Sequence, residues 1–364
     1  MGFNMIDVRF DQHHYYPTLR TRQAELKGLA QLDDTRKSKI VPLLTLGRWP
    51  KAPDFDRSAE KAAEAMADRP YFLDLTTDAR HLTDHHRSLS DPGGHFENWR
   101  TFAKRSPLAI PVAQMTQGAR LRDVAQQAKS IENDVGRVAF RIRDFDSDTR
   151  MVISALNALD DVTNAIVFID CQYIRNALAA YSTATVATIN LLRSEFPEIF
   201  IGVLATSFPV STLEFADPSK RYGTIDMLER ELHSRIGGPA VAAYGDHASI
   251  HSVVYDDVPI MKWSPRIDFP RELDWYFERR PGAQSTETGY IDAARAIVDA
   301  DPGIGSREIW GEEMVRSAAN GAPFAKAPGP WISVRVNIHL ARQIDFSERL
   351  AANGFADDED GEED

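Results

Sequence analysis

Residues 138–171 read VAFRIRDFDSDTRMVISALNALDDVTNAIVFIDC, and this stretch decides the fold. Val138–Arg143 and Ala165–Cys171 are apolar runs of strand length, and Ser147–Ala158 between them has the composition of a helix. Two strands joined through a helix form a parallel βαβ unit. The stretch therefore predicts an α/β protein with a parallel sheet.

The same alternation continues outward in both directions. Strand–helix alternation through eight units is typical of a (β/α)8 TIM-type barrel, in which the functional residues lie at the carboxyl ends of the strands. The eight predicted strands are Tyr15–Arg20, Ile40–Leu46, Tyr71–Thr76, Ala109–Met115, Val138–Arg143, Ala165–Cys171, Phe200–Ser207 and Val241–Asp246.

The alternation ends after the eighth run, which gives three predicted regions. Residues 1–250 form the barrel, with a helix over 223–236 leading into its last strand. Residues 251–350 contain aromatic clusters and helical patterns, so we expect a C-terminal α-rich appendage packed on the barrel. Residues 351–364 end in a run of Asp and Glu with no apolar anchor, which predicts a disordered acidic tail.

Composition narrows the class of protein. The chain has 364 residues, 43% hydrophobic and 26% charged, with a net charge of −12, which argues against a general nucleic-acid-binding surface. No apolar run approaches the roughly 20 residues that span a bilayer, and the N-terminus has no signal pattern. The lone cysteine, Cys171, excludes an internal disulfide and is expected to be structural. We therefore expect a soluble, cytoplasmic protein.

Charged side chains mark the strand ends. Because side chains alternate along a strand, the bulky Val138, Phe140 and Ile142 should face the helices, which directs Arg141 and Arg143 into the barrel. On the other strands, alternation groups Asp74 with Phe72, Asp170 with Phe168 and Asp246 with Tyr244. We expect a polar set to converge at the mouth, namely Arg20, Asp74, Gln114, Arg141, Arg143, Asp170 and Asp246.

Two interpretations of this set remain open. It is either a network of Arg–Asp pairs that plugs and rigidifies the barrel, or a pocket whose arginines bind an anionic group. In the second interpretation Asp170 or Asp246 acts as a general acid or base.

Familiar barrel chemistries do not fit these strand ends. A Schiff-base mechanism needs a lysine, and no strand ends in one. Strands four and seven end in Gln114 and Thr206 rather than in the carboxylates of a retaining glycosidase. Strand one lacks a His-x-His metal motif, and the turns after strands seven and eight are not the glycine-rich turns of phosphate-binding barrels. The sequence predicts no cofactor.

Several histidines have ligand or metal-binding potential. Four residues between strand three and the next helix are of metal-ligand type, but their polar segment favours a solvated loop, so we predict no metal site. His247 follows Asp246, with His251 nearby, and this arrangement suits either a ligand contact or an ordinary capping pair. Arg335 and His339 are four residues apart and face either the mouth or solvent. The four metal-type residues are His81, Asp84, His85 and His86.

Three segments resemble the uncharacterised "beta protein" family of bacteria and phages. The first is Tyr15–Leu29 together with the Ile40–Leu46 strand, the second is Tyr244–Ile250, and the third is Pro330–Leu340. The resemblance implies that one unit spans residues 15–345 and draws attention to four positions, although it implies no reaction. Relatives often carry lysine at the basic end of strand one, where this chain has arginine. The four positions are Arg20, Glu25, Asp246 and His339.

Two functions follow as hypotheses. In the first, the mouth binds a small anionic or nucleotide-like ligand, with hydrolysis as a further step and with the appendage covering the mouth. Arg20, Arg141 and Arg143 would bind the anion. In the second, the barrel is a non-catalytic scaffold that binds a protein partner in a phage or phage-defence locus.

Overall fold

The computed structural model describes residues 5–216, 221–252 and 263–359. Eight of its strands are parallel and form the wall of a barrel. The strands are β1 (Tyr15–Arg20), β2 (Leu43–Leu46), β3 (Tyr71–Leu75), β4 (Ala109–Pro111), β5 (Val138–Ile142), β6 (Ala165–Tyr173), β7 (Phe200–Thr206) and, after the separate strand β8, β9 (Ala243–Asp246).

The strand order is β4-β3-β2-β1-β9-β7-β6-β5. A single parallel bridge between Val112 and Ala139 brings β4 next to β5 and nearly closes the ring. Strands β2 and β4 are shorter than the sequence predicts because Pro42 and Pro111 each remove a backbone donor from the ladder. The predicted (β/α)8 barrel is confirmed.

Helices cover the outside of the wall and connect its strands. They are α1 (Gln23–Ala30), α2 (Asp34–Lys37), α3 (Asp56–Met66), α4 (Asp84–Leu89), α5 (Glu97–Ala103), α6 (Leu121–Val135), α7 (Ser147–Leu156), α8 (Leu178–Glu195) and α9 (Leu228–Arg235).

The strands bury side chains on both faces, so the protein has two apolar layers. Inside the barrel, Tyr16, Phe72 and Phe168 pack together with aromatic ring centroids 5.1–6.2 Å apart. The N-terminal segment closes the lower end of this interior, where Phe10 packs against Phe72 and its carbonyl accepts a 2.6 Å hydrogen bond from the Tyr16 hydroxyl. A larger outer layer lies between the strands and the helices. The interior is a packed core except at its upper end.

The segment before the last barrel strand differs from the prediction. A helix was expected over residues 223–236, but Tyr222–Asp226 is strand β8 and the helix begins only at Leu228. Exposed and buried residues alternate along β8, which is the period of a strand rather than of a helix. Strand β8 pairs with β11 (Asp274–Arg279), which pairs with β10 (Arg266–Pro270), in an antiparallel sheet.

The C-terminal region is mainly helical, with α10 (Thr286–Ala300), α11 (Trp310–Ala319) and α12 (Pro328–Glu359). Helix α12 packs on α1, where the Asn337 amide donates to the Gly28 carbonyl at 3.0 Å. The predicted disordered tail begins at residue 351, but α12 continues to Glu359. The rest of that tail, residues 360–364, lies outside the described part of the chain.

Gly245 permits the close approach of β9 to its neighbours. A Cβ atom at this position would lie 2.4 Å from Leu204 Cδ2 and 2.5 Å from the Tyr16 carbonyl oxygen. We predict that Gly245→Ala lowers the free energy of unfolding by about 1–3 kcal/mol through overpacking, as measured by chemical denaturation. Gly329→Ala is the control, because no atom lies within 4 Å of its Cβ position. Equal stability of the two variants would contradict the packing described for β9.

Candidate functional site

The candidate site lies at the mouth of the barrel, at the carboxyl ends of the strands. As predicted for β5, Val138, Phe140 and Ile142 belong to the outer apolar layer. Arg141 and Arg143 point the other way and make ion pairs within the mouth. Alternation along β5 therefore brings two guanidinium groups to one end of the barrel.

Arg141 is the centre of the site. Its Nη1 atom donates to Asp74 Oδ2 at 3.0 Å and to the Thr45 hydroxyl at 2.9 Å. Its Nε and Nη2 atoms donate to Asp170 Oδ2 at 3.0 and 2.7 Å. Although burial opposes the charged form, Asp170 and Asp74 raise the pKa of Arg141. The guanidinium links strands β2, β3, β5 and β6 across the barrel.

Asp74 is shared between two arginines. Besides Arg141, it accepts from Arg143 through Oδ2, from the Gln114 amide at 3.1 Å and from the Leu75 backbone N–H at 2.8 Å. The carboxylate is 1% exposed. Burial alone would raise its pKa, but the two guanidinium groups lower it. Burial and the neighbouring Arg141 guanidinium lower the pKa of Arg143.

Asp170 orients a histidine. Its Oδ1 lies 2.9 Å from His247 Nε2 and accepts from the Gln172 backbone N–H at 2.9 Å. Burial opposes ionisation, but His247 and Arg141 hold the pKa of Asp170 far below its usual range. Asp170 therefore favours its carboxylate form and holds the His247 ring in one orientation.

Arg20 ends β1 and lacks a carboxylate partner among the described residues. Its Nη2 donates to the backbone carbonyls of His251 and Ser252. The buried Glu25 carboxylate accepts the Arg20 backbone N–H at 2.7 Å and so fixes the end of the strand. Burial lowers the pKa of Arg20. Among the described residues, the Arg20 guanidinium thus makes hydrogen bonds only to neutral groups.

Two adjoining cavities open above these groups, and Thr76, Thr77, Arg141 and Arg143 line both of them. The first, which we name the arginine compartment, has a volume of about 670 Å³. Its charged lining comprises five arginines and three carboxylates, namely Arg20, Arg22, Arg48, Arg141, Arg143, Glu25, Asp78 and Asp170. The second, the Gln114 compartment, has a volume of about 890 Å³ and also contacts Asp74, His86 and Met115.

The sequence reasoning missed two arginines of the arginine compartment. Arg22 and Arg48 follow the ends of β1 and β2 by two residues and are exposed, without an ion pair among the described residues. A search of the turns after each strand, rather than of the strand ends alone, would have found them. Asp78 also lines the cavity but is paired with Arg80 at 2.6 Å. Among the described lining residues, unpaired arginines therefore outnumber unpaired carboxylates.

Asp246 does not lie at the mouth of the barrel, contrary to the prediction from strand alternation. It shares a face with Tyr244, and that face lies in the outer layer rather than in the interior. Its carboxylate accepts from the hydroxyls of Tyr15 at 2.6 Å and Tyr244 at 2.9 Å, and lies 2.8 Å from His339 Nε2. Asp246 and His339, predicted as site residues, instead fasten α12 to the barrel wall.

Arg335 is also separate from the cavity lining. Its Nη1 lies 2.7 Å from the Asp268 carboxylate on β10, and its guanidinium carbon is 4.2 Å from the centre of the Phe208 ring. It therefore anchors α12 to the C-terminal sheet. One helical turn separates it from His339, as predicted, but each side chain has its own buried partner.

The histidines after β3 do not form the solvated loop that the sequence predicts. His85 and His86 lie on helix α4, which Thr83 caps by accepting the His86 backbone N–H. His81 accepts from the Arg48 backbone N–H at 2.9 Å, and His85 accepts from the Phe55 N–H at 3.1 Å. Each ring therefore has a separate structural partner. Cys171 is buried, and burial raises the pKa of its thiol to about 12.

Fold and site together define a (β/α)8-barrel protein with a charged, open mouth and a C-terminal helical region. The chain belongs to the beta protein family, since the family model described as "Beta protein" matches residues 15–345. It is 44% identical over 354 residues to "Protein beta" of Enterobacteria phage P4, a match that covers 97% of this chain and 99% of that relative. The resemblance seen in the sequence is confirmed.

A helix that spans a bilayer must be both long and apolar. None of the helices of the described residues meets both requirements for a membrane span.

The Asp246–His339 contact predicts a defined pH dependence of stability. Burial would raise the Asp246 pKa, but His339 and the Tyr15 hydroxyl lower it to about 2. In the unfolded chain it is about 3.9. The contribution, on the order of 2 kcal/mol, is complete above about pH 4 and is lost as pH falls through about 2. We expect the unfolding free energy to fall less steeply over this window in Asp246→Asn, as followed by urea titration at each pH.

Asp68→Asn, at an exposed position after α3, is the control for this experiment. It should keep the steep wild-type pH dependence. An Asp246→Asn profile parallel to the wild-type profile would show that this carboxylate does not carry the linkage.

Proposed function

We propose that the mouth of the barrel binds a small anionic ligand, with the arginine compartment as the anion site. The observation that carries the proposal is the imbalance of charge in its lining. Arg141 and Arg143 share carboxylates, whereas Arg20, Arg22 and Arg48 make no ion pair among the described residues. Arginine presents several donors in a planar fork that matches a carboxylate or phosphate.

Arg20 is the central binding residue in this proposal. Two backbone carbonyls hold one end of its guanidinium, and Nε and Nη1 make no hydrogen bond to the described residues. A partly buried cation in contact only with neutral dipoles gains more from an arriving anion than a cation that is already paired. Arg141 and Asp170 are already paired with each other, and in this proposal they form the rigid base of the site beneath the ligand.

Arg20→Gln should weaken binding of inorganic phosphate by tenfold or more, because a charge-assisted hydrogen bond is worth about 1.5–3 kcal/mol. Isothermal titration with phosphate, and with sulfate for comparison, measures the effect. Arg150→Gln on the exposed face of α7 removes the same charge far from the mouth and should bind like the wild type. Phosphate affinity that is equal in all three proteins would refute the proposed site.

Hydrolysis of the bound ligand is the further step in this proposal. His247 lines the arginine compartment, and Asp170 orients its Nε2 atom, which leaves Nδ1 without a hydrogen-bond partner among the described residues. In our proposal Nδ1 accepts a proton from a water molecule while the water oxygen attacks the phosphorus atom of a phosphate ester. The ester P–O bond breaks, and the alcohol leaves with a proton from solvent. This assigns proton transfer to His247 and orientation to Asp170.

His247→Gln is the variant that tests this step. It should lower the rate of phosphate release from a phosphomonoester such as p-nitrophenyl phosphate by about 10²–10⁴-fold, with phosphate affinity nearly unchanged. His14→Gln, outside the mouth, is the control. If the wild type and His247→Gln release phosphate at equal rates, whether fast or slow, the histidine takes no part in the reaction. The proposal that the mouth binds an anion would not be affected.

A non-catalytic scaffold is the second candidate function. The specific observation in its favour is that Arg141 is completely paired, as expected of a plug that stiffens the barrel. The match to a phage protein is in keeping with a scaffold in a phage locus. Absence of phosphate binding, together with one stoichiometric protein partner in a pull-down, would favour it over the anion site.

A further inference from the structure

We infer that the Gln114 compartment binds a heterocycle that carries an amine or amide N–H, so that the complete ligand is a nucleoside monophosphate. This inference rests on the proposed anion site, because the phosphate of such a ligand would occupy the arginine compartment. It adds a second subsite, a chemical class for the ligand and a residue that selects it.

The Gln114 side chain is fixed so that only its acceptor atom remains available. Its Nε2 donates to Asp74 Oδ1 at 3.1 Å and to the Val112 carbonyl at 2.9 Å. Its backbone N–H and carbonyl are both bonded to the side chain of Gln127, at 2.8 and 2.9 Å. With both amide hydrogens engaged, Oε1 accepts no hydrogen bond from the described residues. The residue is 7% exposed and lines the compartment.

An acceptor that faces the compartment without a donor from the described residues favours ligands that supply an N–H group. A ligand that covers this acceptor without such a group leaves it unpaired, which costs about 1–3 kcal/mol and gives selectivity for the matching ligand. The rest of the lining combines the apolar side chains of Leu82, Pro92 and Met115 with serine and threonine residues, as expected for a site that binds a polar heterocycle. Its charged members are Asp74, Arg87, Asp91, Arg141, Arg143 and Asp148.

The two compartments share part of their lining. The shared residues are Thr76, Thr77, Arg141 and Arg143. In our proposal a single ligand extends from one compartment to the other beside these residues. Each compartment falls in the usual size range of small-molecule sites, about 300–1,000 Å³. An anion at one end joined to a hydrogen-bonding ring at the other describes a nucleotide rather than a simple anion.

The test compares four ligands by isothermal titration with the full chain. Inorganic phosphate and ribose 5-phosphate fill only the arginine compartment, whereas AMP and CMP add a base with an exocyclic amine. We expect at least one of these nucleotides to bind ten times more tightly than ribose 5-phosphate. Gln114→Met keeps the side-chain volume and should lose this advantage, with the affinity for inorganic phosphate unchanged. Gln126→Met, exposed on α6, should keep it.

Each other outcome has one meaning. If phosphate and ribose 5-phosphate bind but neither nucleotide binds more tightly, the heterocycle subsite is wrong and the anion site stands. If Gln114→Met retains the nucleotide advantage, or loses phosphate affinity in parallel, Gln114 does not select the base. If none of the four ligands binds, the proposed function itself fails.

Discussion

The structure depends on the guanidinium group of Arg141, which lies between Asp74 and Asp170 inside the upper end of the barrel. A buried charge is tolerated only when it is paired and hydrogen-bonded, and here one cation meets two carboxylates and a threonine hydroxyl. Removing Arg141 would leave the buried Asp170 carboxylate without a guanidinium partner. The pairing connects strands β3, β5 and β6, and Asp170 orients His247. Asp74 in turn accepts hydrogen bonds from Arg143 and Gln114.

The order of apolar runs and helical stretches in the sequence predicted the barrel. The alternation of side chains along the strands predicted the residues at the base of its mouth. Arg141 and Arg143 were placed correctly because Val138, Phe140 and Ile142, on the opposite face of the strand, meet the helices. Asp74 and Asp170 share their faces with Phe72 and Phe168, which fill the barrel interior. The same rule failed at Asp246, which is on the side of Tyr244. The Tyr244 ring packs against α9, and its hydroxyl donates to Asp246. The strand has only four residues, so its pattern of polar and apolar residues does not show which face meets the helices.

Other parts of the site depend on tertiary contacts that a sequence does not display. Strand β8 was mistaken for a helix because its partner, β11, lies about fifty residues further along the chain. The roles of His339 and Arg335 likewise follow from the docking of α12, which places each near a different carboxylate. Local sequence patterns indicate the helices and strands, whereas contacts between residues that are far apart in the chain determine which polar groups lie together.

The packing of α12 on α1 has a consequence for how the protein is made. Asn337 and Gly28, which bond across this contact, are 309 positions apart in the chain. At roughly 5–20 residues per second, a ribosome needs tens of seconds to synthesise the segment that separates them. During that interval the side of α1 around Gly28 lacks α12 as its packing partner and is exposed to contact with other proteins. The order of synthesis thus makes the beginning of the chain the part that depends longest on protection by the cell.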